Sequence, residues 1–134
     1  MAKITTIEGI GPAFAEKFAE IGITTVEGLL EKGKTARGRR ELVETTGISS
    51  SQILRWVNCA DLMRIKGVGE EYSELLEAAG VDTVPELALR NPANLYQKMV
   101  EANEARKLVR LLPALKSVEK WVAQAKELPR VIEY

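Results

Sequence analysis

From Lys32 to Arg40 the chain reads Lys-Gly-Lys-Thr-Ala-Arg-Gly-Arg-Arg, placing Lys32, Lys34, Arg37, Arg39 and Arg40 together with no acid among them. Cations at that density can grip phosphates and position a protein on a nucleic-acid backbone without reading its bases. The bland alternative is a solvated basic loop. Arg106, Lys107, Arg110 and Lys116 form a second cluster, with Glu104 the one acid nearby. Overlapping the first run, Gly28-Leu29-Leu30-Glu31-Lys32-Gly33-Lys34-Thr35 matches the phosphate-loop pattern G-x-x-x-x-G-K-[ST] letter for letter. That loop must follow a buried strand and open a helix, whereas Gly28 falls inside a helix read from Thr25 to Lys32, and Leu29 and Leu30 make a poor phosphate cradle. The pattern is therefore rejected as a nucleotide site.

Bond-making chemistry has little to work with. The chain has no histidine and a single cysteine, Cys59, which sits in the helical stretch Trp56-Val57-Asn58-Cys59-Ala60. Without histidine the commonest general base and the commonest metal ligand are missing. Carboxylates alternate with lysines along helix faces, as solvated surfaces do. The expectation is a non-enzyme with no metal and no cofactor. Nineteen Lys and Arg balance nineteen Asp and Glu, whereas nucleic-acid binders are usually basic; any such binding would need local charge asymmetry. No apolar run approaches the ~20 residues of a membrane span, so a cytoplasmic protein with no membrane partner is expected.

What would position these groups is a duplicated set of helices. Ile7-Glu8-Gly9-Ile10-Gly11 recurs as Ile65-Lys66-Gly67-Val68-Gly69, an offset of 58 residues, and the match continues through Phe14 and Tyr72, Phe18 and Leu76, Gly22 and Gly80, Thr25 and Thr83, and Leu29 and Leu87. Later the offset is 65: Ile53, Trp56, Val57 and Ala60 match Val118, Trp121, Val122 and Ala125. The second copy thus carries seven extra residues, and the division falls into 1–62 and 63–134. Ile10, Phe14, Phe18 and Ile21 form one helical stripe. Gly22 and Gly80 are read as left-handed helix caps, and Thr24 or Thr25, and Asp82 or Thr83, as caps of the helices that follow. Trp56 and Trp121 read as packing residues. The apolar run Leu108, Val109, Leu111, Leu112 and Leu115 reads as a surface packed on the first repeat, or as a partner surface if exposed. No segment alternates like a strand. The expected fold is all-α, with about nine or ten short helices.

The residues Ile7-Glu8-Gly9-Ile10-Gly11-Pro12-Ala13-Phe14-Ala15-Glu16-Lys17-Phe18, followed by Gly22-Ile23-Thr24-Thr25-Val26-Glu27-Gly28-Leu29-Leu30, resemble the helix-hairpin-helix motif. The first repeat is similar to the small N-terminal domain of archaeal and eukaryotic recombinases and to the C-terminal domain of the bacterial RNA polymerase alpha subunit. The doubled arrangement looks closest to an uncharacterised bacterial family of helix-hairpin-helix-like proteins. The resemblance implies two tandem repeats of about 60–70 residues in a SAM-like helical bundle.

In DNA-binding members of that superfamily the hairpin presents backbone amides to a phosphate, helped by glycines that let the backbone approach and by a helix N-terminus. Carried over, the first site would use Gly9, Ile10, Gly11 and the amides from Ala13 onward, with Lys17 the nearest cation in that helix. The second hairpin, Gly67, Val68 and Gly69, is followed by Glu70 and Glu71, which would repel a phosphate, so it is expected to be structural. Two functions follow as expectations. One is binding of double-stranded DNA backbone through the first hairpin and Lys32, Lys34, Arg37, Arg39 and Arg40. The other is a protein-interaction adaptor that kept the fold and lost phosphate binding.

Overall fold

The computed structural model describes residues 2–134, and regular structure among them is helical. A 3-10 turn over Ile4–Thr6 precedes α1 (Pro12–Glu20), α2 (Val26–Gly33), α3 (Ala36–Thr46), α4 (Ser50–Leu62), α5 (Glu70–Ala78), α6 (Val84–Ala88), α7 (Pro92–Arg106) and α8 (Leu115–Glu127). Eight α-helices thus stand where about nine or ten were expected. The shortfall includes the leucine-rich stretch 107–114, which stays out of helix. Among the described residues no strand forms, only an isolated bridge from Lys3 to Thr25.

Local chemistry sets the helix ends. The side chains of Thr25, Thr35 and Asn91 accept from the amides of Gly28, Gly38 and Asn94 at 3.0, 3.0 and 3.1 Å, starting α2, α3 and α7. Gly22 and Gly80 take φ of +82° and +96°, conformations that favour glycine, and close α1 and α5 with paired reverse bonds. In the first, Ile23 N–H bonds the Phe18 carbonyl at 2.9 Å and Gly22 N–H bonds Ala19 at 3.0 Å. In the second, Val81 bonds Leu76 and Gly80 bonds Glu77 at the same two distances. Because α1 stops at Glu20, Ile21 leaves the expected stripe and is exposed.

The chain divides into two compact units. The first holds the described residues up to Asp61 together with Val131–Tyr134; the second is Leu62–Arg130. The boundary expected at 62 falls one residue earlier, and the last four residues lie in the first unit rather than the second. In the first unit Ile4, Ile7, Phe18, Leu29, Leu42 and Ile53 are buried, as is the Trp56 indole. Phe14 and Phe18 meet that indole at ring-centroid distances of 5.2 and 6.1 Å. In the second unit Ile65, Leu75, Leu76, Leu87, Leu95 and Met99 pack with Trp121, whose ring centroid lies 5.4 Å from that of Tyr72. Both tryptophans are packing residues, as their apolar helical spacing indicated.

The leucine-rich run packs into its own unit. Val109 is buried in the second core, with Leu108 and Leu112 partly buried against it, while Leu111 and Leu115 are exposed. Asn103 holds this stretch: its side chain donates to Val109 O at 3.2 Å and accepts from Val109 N at 2.9 Å. Lys107, at φ +50°, closes α7 with its amide on the Asn103 carbonyl.

Candidate functional site: the first hairpin and the cation cluster

The turn Ile7–Gly11 is built by local bonds. Ile10 N–H donates to the Ile7 carbonyl at 3.1 Å, so this amide is already used. The Ile10 side chain is buried. Gly9 sits at φ +95° against the indole, and a Cβ added to it would lie 3.1 Å from Trp56 Nε1. Its lack of a side chain therefore serves packing and backbone conformation. Gly11 differs. It is the N-cap of α1 in an ordinary extended conformation, with nothing within 4 Å of where a Cβ would be. No side chain caps α1, and no acid lies in its first turn. Gly11 and Ala13 are exposed, so the amides at the start of α1 face outward with the positive end of the helix dipole. Lys17 is exposed but lies in the last turn of the helix, away from those amides.

The cation cluster is not a loop. Lys32 belongs to the last turn of α2, Lys34 and Thr35 form the junction, and Arg37, Arg39 and Arg40 lie in α3. The two glycines in it serve close packing. A Cβ on Gly38 would fall 1.9 Å from the Lys32 carbonyl oxygen, and one on Gly33 would fall 2.4 Å from Val57 Cγ2.

Three of the five cations are paired with acids that flank the run. Lys32 bonds Glu41, Lys34 meets Glu31 at 2.9 Å, and Arg37 meets Glu41 at 3.4 Å. The hydrogen bond from Lys32, then the Lys32 charge and more weakly Arg37, hold the Glu41 carboxyl below the usual carboxylate range. The two pairs to Glu41 therefore persist at neutral pH and weaken as the pH falls through that lowered value. Arg39 is committed to backbone: it donates to Gly33 O and to Glu133 O, each at 2.8 Å. Arg40 is exposed and lines an open groove of about 300 Å³ with Arg39, Val43, Ser50, Ser51 and Leu54.

The Ile7–Gly11 turn and Lys32 lie toward opposite ends of α1. The hairpin rests on Trp56, while Lys32 lines a groove with Ile21 and Ile23 just past the C-terminal end of α1. Nine residues of helix, about 13 Å at 1.5 Å per residue, separate the two ends of α1.

In the second unit Gly67 repeats the packing role, at φ +92° with a would-be Cβ 3.0 Å from Trp121 Nε1. Val68 is buried and donates to Ile65 O at 3.1 Å, and Gly69 is the N-cap of α5. Glu70 and Glu71 occupy the first turn of that helix and complement its dipole. Burial, and then the charge of Glu77, push the Asp82 carboxyl upward. Arg106, Lys107, Arg110 and Lys116 are all exposed.

A feature that the sequence did not signal is Val131–Tyr134, seated on the α2–α3 junction of the first unit. Glu133 N–H donates to the Lys34 carbonyl at 2.7 Å, and Glu133 O accepts from Arg39. Ile132 is 2% exposed. Tyr134 donates to Asn58 Oδ1 at 3.1 Å, and its ring centroid lies 5.6 Å from the Arg39 guanidinium carbon. A four-residue segment has too little periodicity to read, and its partners lie far away in sequence.

Among the described residues no three His, Cys, Asp or Glu side chains converge as metal ligands, and no helix is long and apolar enough to cross a membrane. The groups at hand can hold anions, peptide backbone or aromatic rings.

Comparison with known proteins gives one partial relative. Over 55 residues, 41% of the chain, it is 38% identical to the poly(3-hydroxyalkanoate) polymerase subunit PhaC of Haloferax mediterranei. The match covers 10% of that protein's length. No solved structure matches. A family model described as "Domain of unknown function (DUF4332)" matches residues 8–128. With nearly its whole length inside that match, the chain belongs to the DUF4332 family.

Proposed function

We propose that the chain is a non-catalytic, tandem helix-hairpin-helix-type module that acts through protein contacts. The tandem reading is supported by the recurrence of the same bonds and glycine conformations 58 residues apart, in which Gly9 rests on Trp56 and Gly67 on Trp121. The observation that carries the adaptor reading is the state of the cation cluster. Lys32, Lys34 and Arg37 face Glu31 and Glu41, and Arg39 holds peptide backbone. Cations already paired release few counterions on meeting a phosphate chain, and counterion release supplies most of non-specific affinity.

A second reading, binding of duplex DNA backbone, rests on the uncapped and acid-free N-terminus of α1 behind Gly11. The two are separated by fluorescence anisotropy of labelled duplex and single-stranded DNA at about 50 and 200 mM salt, with the wild-type chain and an Arg37→Ala, Arg39→Ala, Arg40→Ala variant. The adaptor reading expects no binding up to about 50 µM protein, where non-specific DNA binders normally saturate or nearly so. Duplex binding that weakens steeply with salt overturns it. Loss of that binding in the variant then returns the cluster to the site, and retention assigns it to the first hairpin.

A further inference from the structure

Residues 105–118 carry Arg106, Lys107, Arg110 and Lys116 and no acid, in a chain whose formal charge is zero. All four are exposed, and none of their side chains has an ion pair or hydrogen bond among the described residues. The Lys32–Arg40 run differs, since three of its cations meet Glu31 or Glu41. Two leucines stand among the unpaired cations: Leu111 is 76% exposed and Leu115 is 40% exposed. The backbone between α7 and α8 is arranged to present them. Leu108, Val109, Leu112 and Pro113 are partly or fully buried, which leaves Arg110, Leu111, Ala114 and Leu115 outside. Asn103 bonds both the amide and the carbonyl of Val109, and the Tyr72 hydroxyl donates to the Leu111 carbonyl at 3.1 Å. These backbone groups already have partners in the protein, so the turn can meet an apolar layer without stranding them.

The combination selects a partner. A leucine three-quarters exposed projects from the surface rather than lining a groove, so the partner must receive it. The unpaired cations beside it call for negative charge opposite. Nucleic acid supplies the charge but little for leucine, because its bases are bound by stacking on aromatic rings. A bilayer with anionic headgroups supplies both, with charge at its surface and an apolar layer just beneath. Lysine and arginine side chains are long enough to stay among the headgroups while neighbouring leucines enter.

We infer that the turn between α7 and α8, through Arg106, Lys107, Arg110, Lys116, Leu111 and Leu115, is a docking surface for an anionic lipid membrane. Contact of this kind lies on the bilayer and needs no spanning helix. The surface belongs wholly to the second unit and is independent of the protein contacts proposed above.

The test is sedimentation of the full chain with vesicles of phosphatidylcholine, alone or with about one third phosphatidylglycerol, at about 20 and about 200 mM salt. The wild type is expected to bind the anionic vesicles at least about tenfold more tightly than the neutral ones, and to lose most of that binding at the higher salt. Arg110→Ala combined with Lys116→Ala should weaken binding by at least about tenfold, since each cation near an anionic surface contributes about fivefold. Leu111→Ser should weaken it by at least about threefold, because the apolar part of the contact is lost. Arg37→Ala combined with Arg40→Ala, in the first unit, should bind as the wild type does. The replaced side chains are exposed, and helical circular dichroism checks that each variant is folded. An equal loss from the first-unit variant, or binding unchanged by Leu111→Ser, overturns the surface, because net charge alone then governs adsorption. No sedimentation with the anionic vesicles at the lower salt, up to about 1 mM lipid, also overturns it and assigns the exposed leucines to a protein partner.

Discussion

Gly9 and Gly11 are two residues apart and answer opposite physical demands. At Gly9 the backbone is left-handed and an indole lies where a side chain would go. Gly9→Ala should therefore lower stability by about 1–2 kcal/mol from the backbone alone, with the Trp56 contact adding to it. At Gly11 the backbone is ordinary, the space is open, and the helix behind it has no side-chain acceptor. Gly11→Ser should supply that acceptor and raise stability by a few tenths of a kcal/mol, roughly the difference between serine and glycine at an N-cap. Urea unfolding of both variants checks the pair. A loss of stability in Gly11→Ser would mean that the first amides of α1 already have acceptors, and would remove the ground for a phosphate there. The Gly-x-Gly spacing made both residues legible as part of a turn before a helix but gave them one role. A missing side chain can mean a strained backbone, a close neighbour or open space, and only the packing of Trp56 from α4 separates these.

Between α2 and α3 the chain turns a corner so tight that helix meets carbonyl. A Cβ on Gly38 would collide with the backbone oxygen of Lys32, which cannot move without unwinding the end of α2. Gly38→Ala should thus cost at least about 1–3 kcal/mol, the range for forcing extra carbon into a packed site. Gly28, the first glycine of the phosphate-loop look-alike, lies inside α2 near its own cap, and a Cβ there would lie 3.1 Å from Thr25 Oγ1 and 3.9 Å from Ile23 Cγ2. Gly28→Ala should stay within about 1 kcal/mol of the wild type, because the roughly 1 kcal/mol of helix propensity that alanine gains over glycine offsets the crowding at Thr25 Oγ1. Thermal unfolding of the two variants side by side would check this. The helix boundaries here were close to legible: α2 spans Val26–Gly33 where the sequence indicated Thr25 to Lys32. The corner was not. Lys-Gly-Lys-Thr-Ala-Arg-Gly reads as a basic loop because glycine breaks helices in isolation. Here Gly33 ends one helix and Gly38 sits inside the next, each because a neighbour leaves no room. The acids that neutralise the run, Glu31 and Glu41, are its immediate neighbours at either end, so a reading of the charged run alone passes over them.

At the scale of the molecule, the all-helical class and the two-part organisation were legible because they rest on local pattern: apolar stripes, capping threonines and glycines that recur at one offset. The return of Val131–Tyr134 to the first unit was not, since Arg39 and Glu133 are 94 residues apart and no period connects them. That return changes what the neutral charge balance means. Two acids, Glu31 and Glu41, meet three of the five cations of the run, while Arg39 is held by its own peptide backbone and Arg40 is exposed, so part of the local positive charge remains. Because the segment is part of the first unit, its contribution follows burial rather than charge. Ile132 is almost fully enclosed, so Ile132→Ala should cost about 2–4 kcal/mol, within the range for deleting a buried aliphatic side chain. Glu133 makes its bonds through backbone atoms and exposes its side chain, so Glu133→Ala should change stability by less than about 0.5 kcal/mol. Urea denaturation followed by circular dichroism measures both. A neutral Ile132→Ala would mean that the segment spends much of its time undocked in solution, leaving Arg39 free of Glu133 and Tyr134. The duplex-DNA titration would then have to be judged with one more available cation than the docked arrangement leaves.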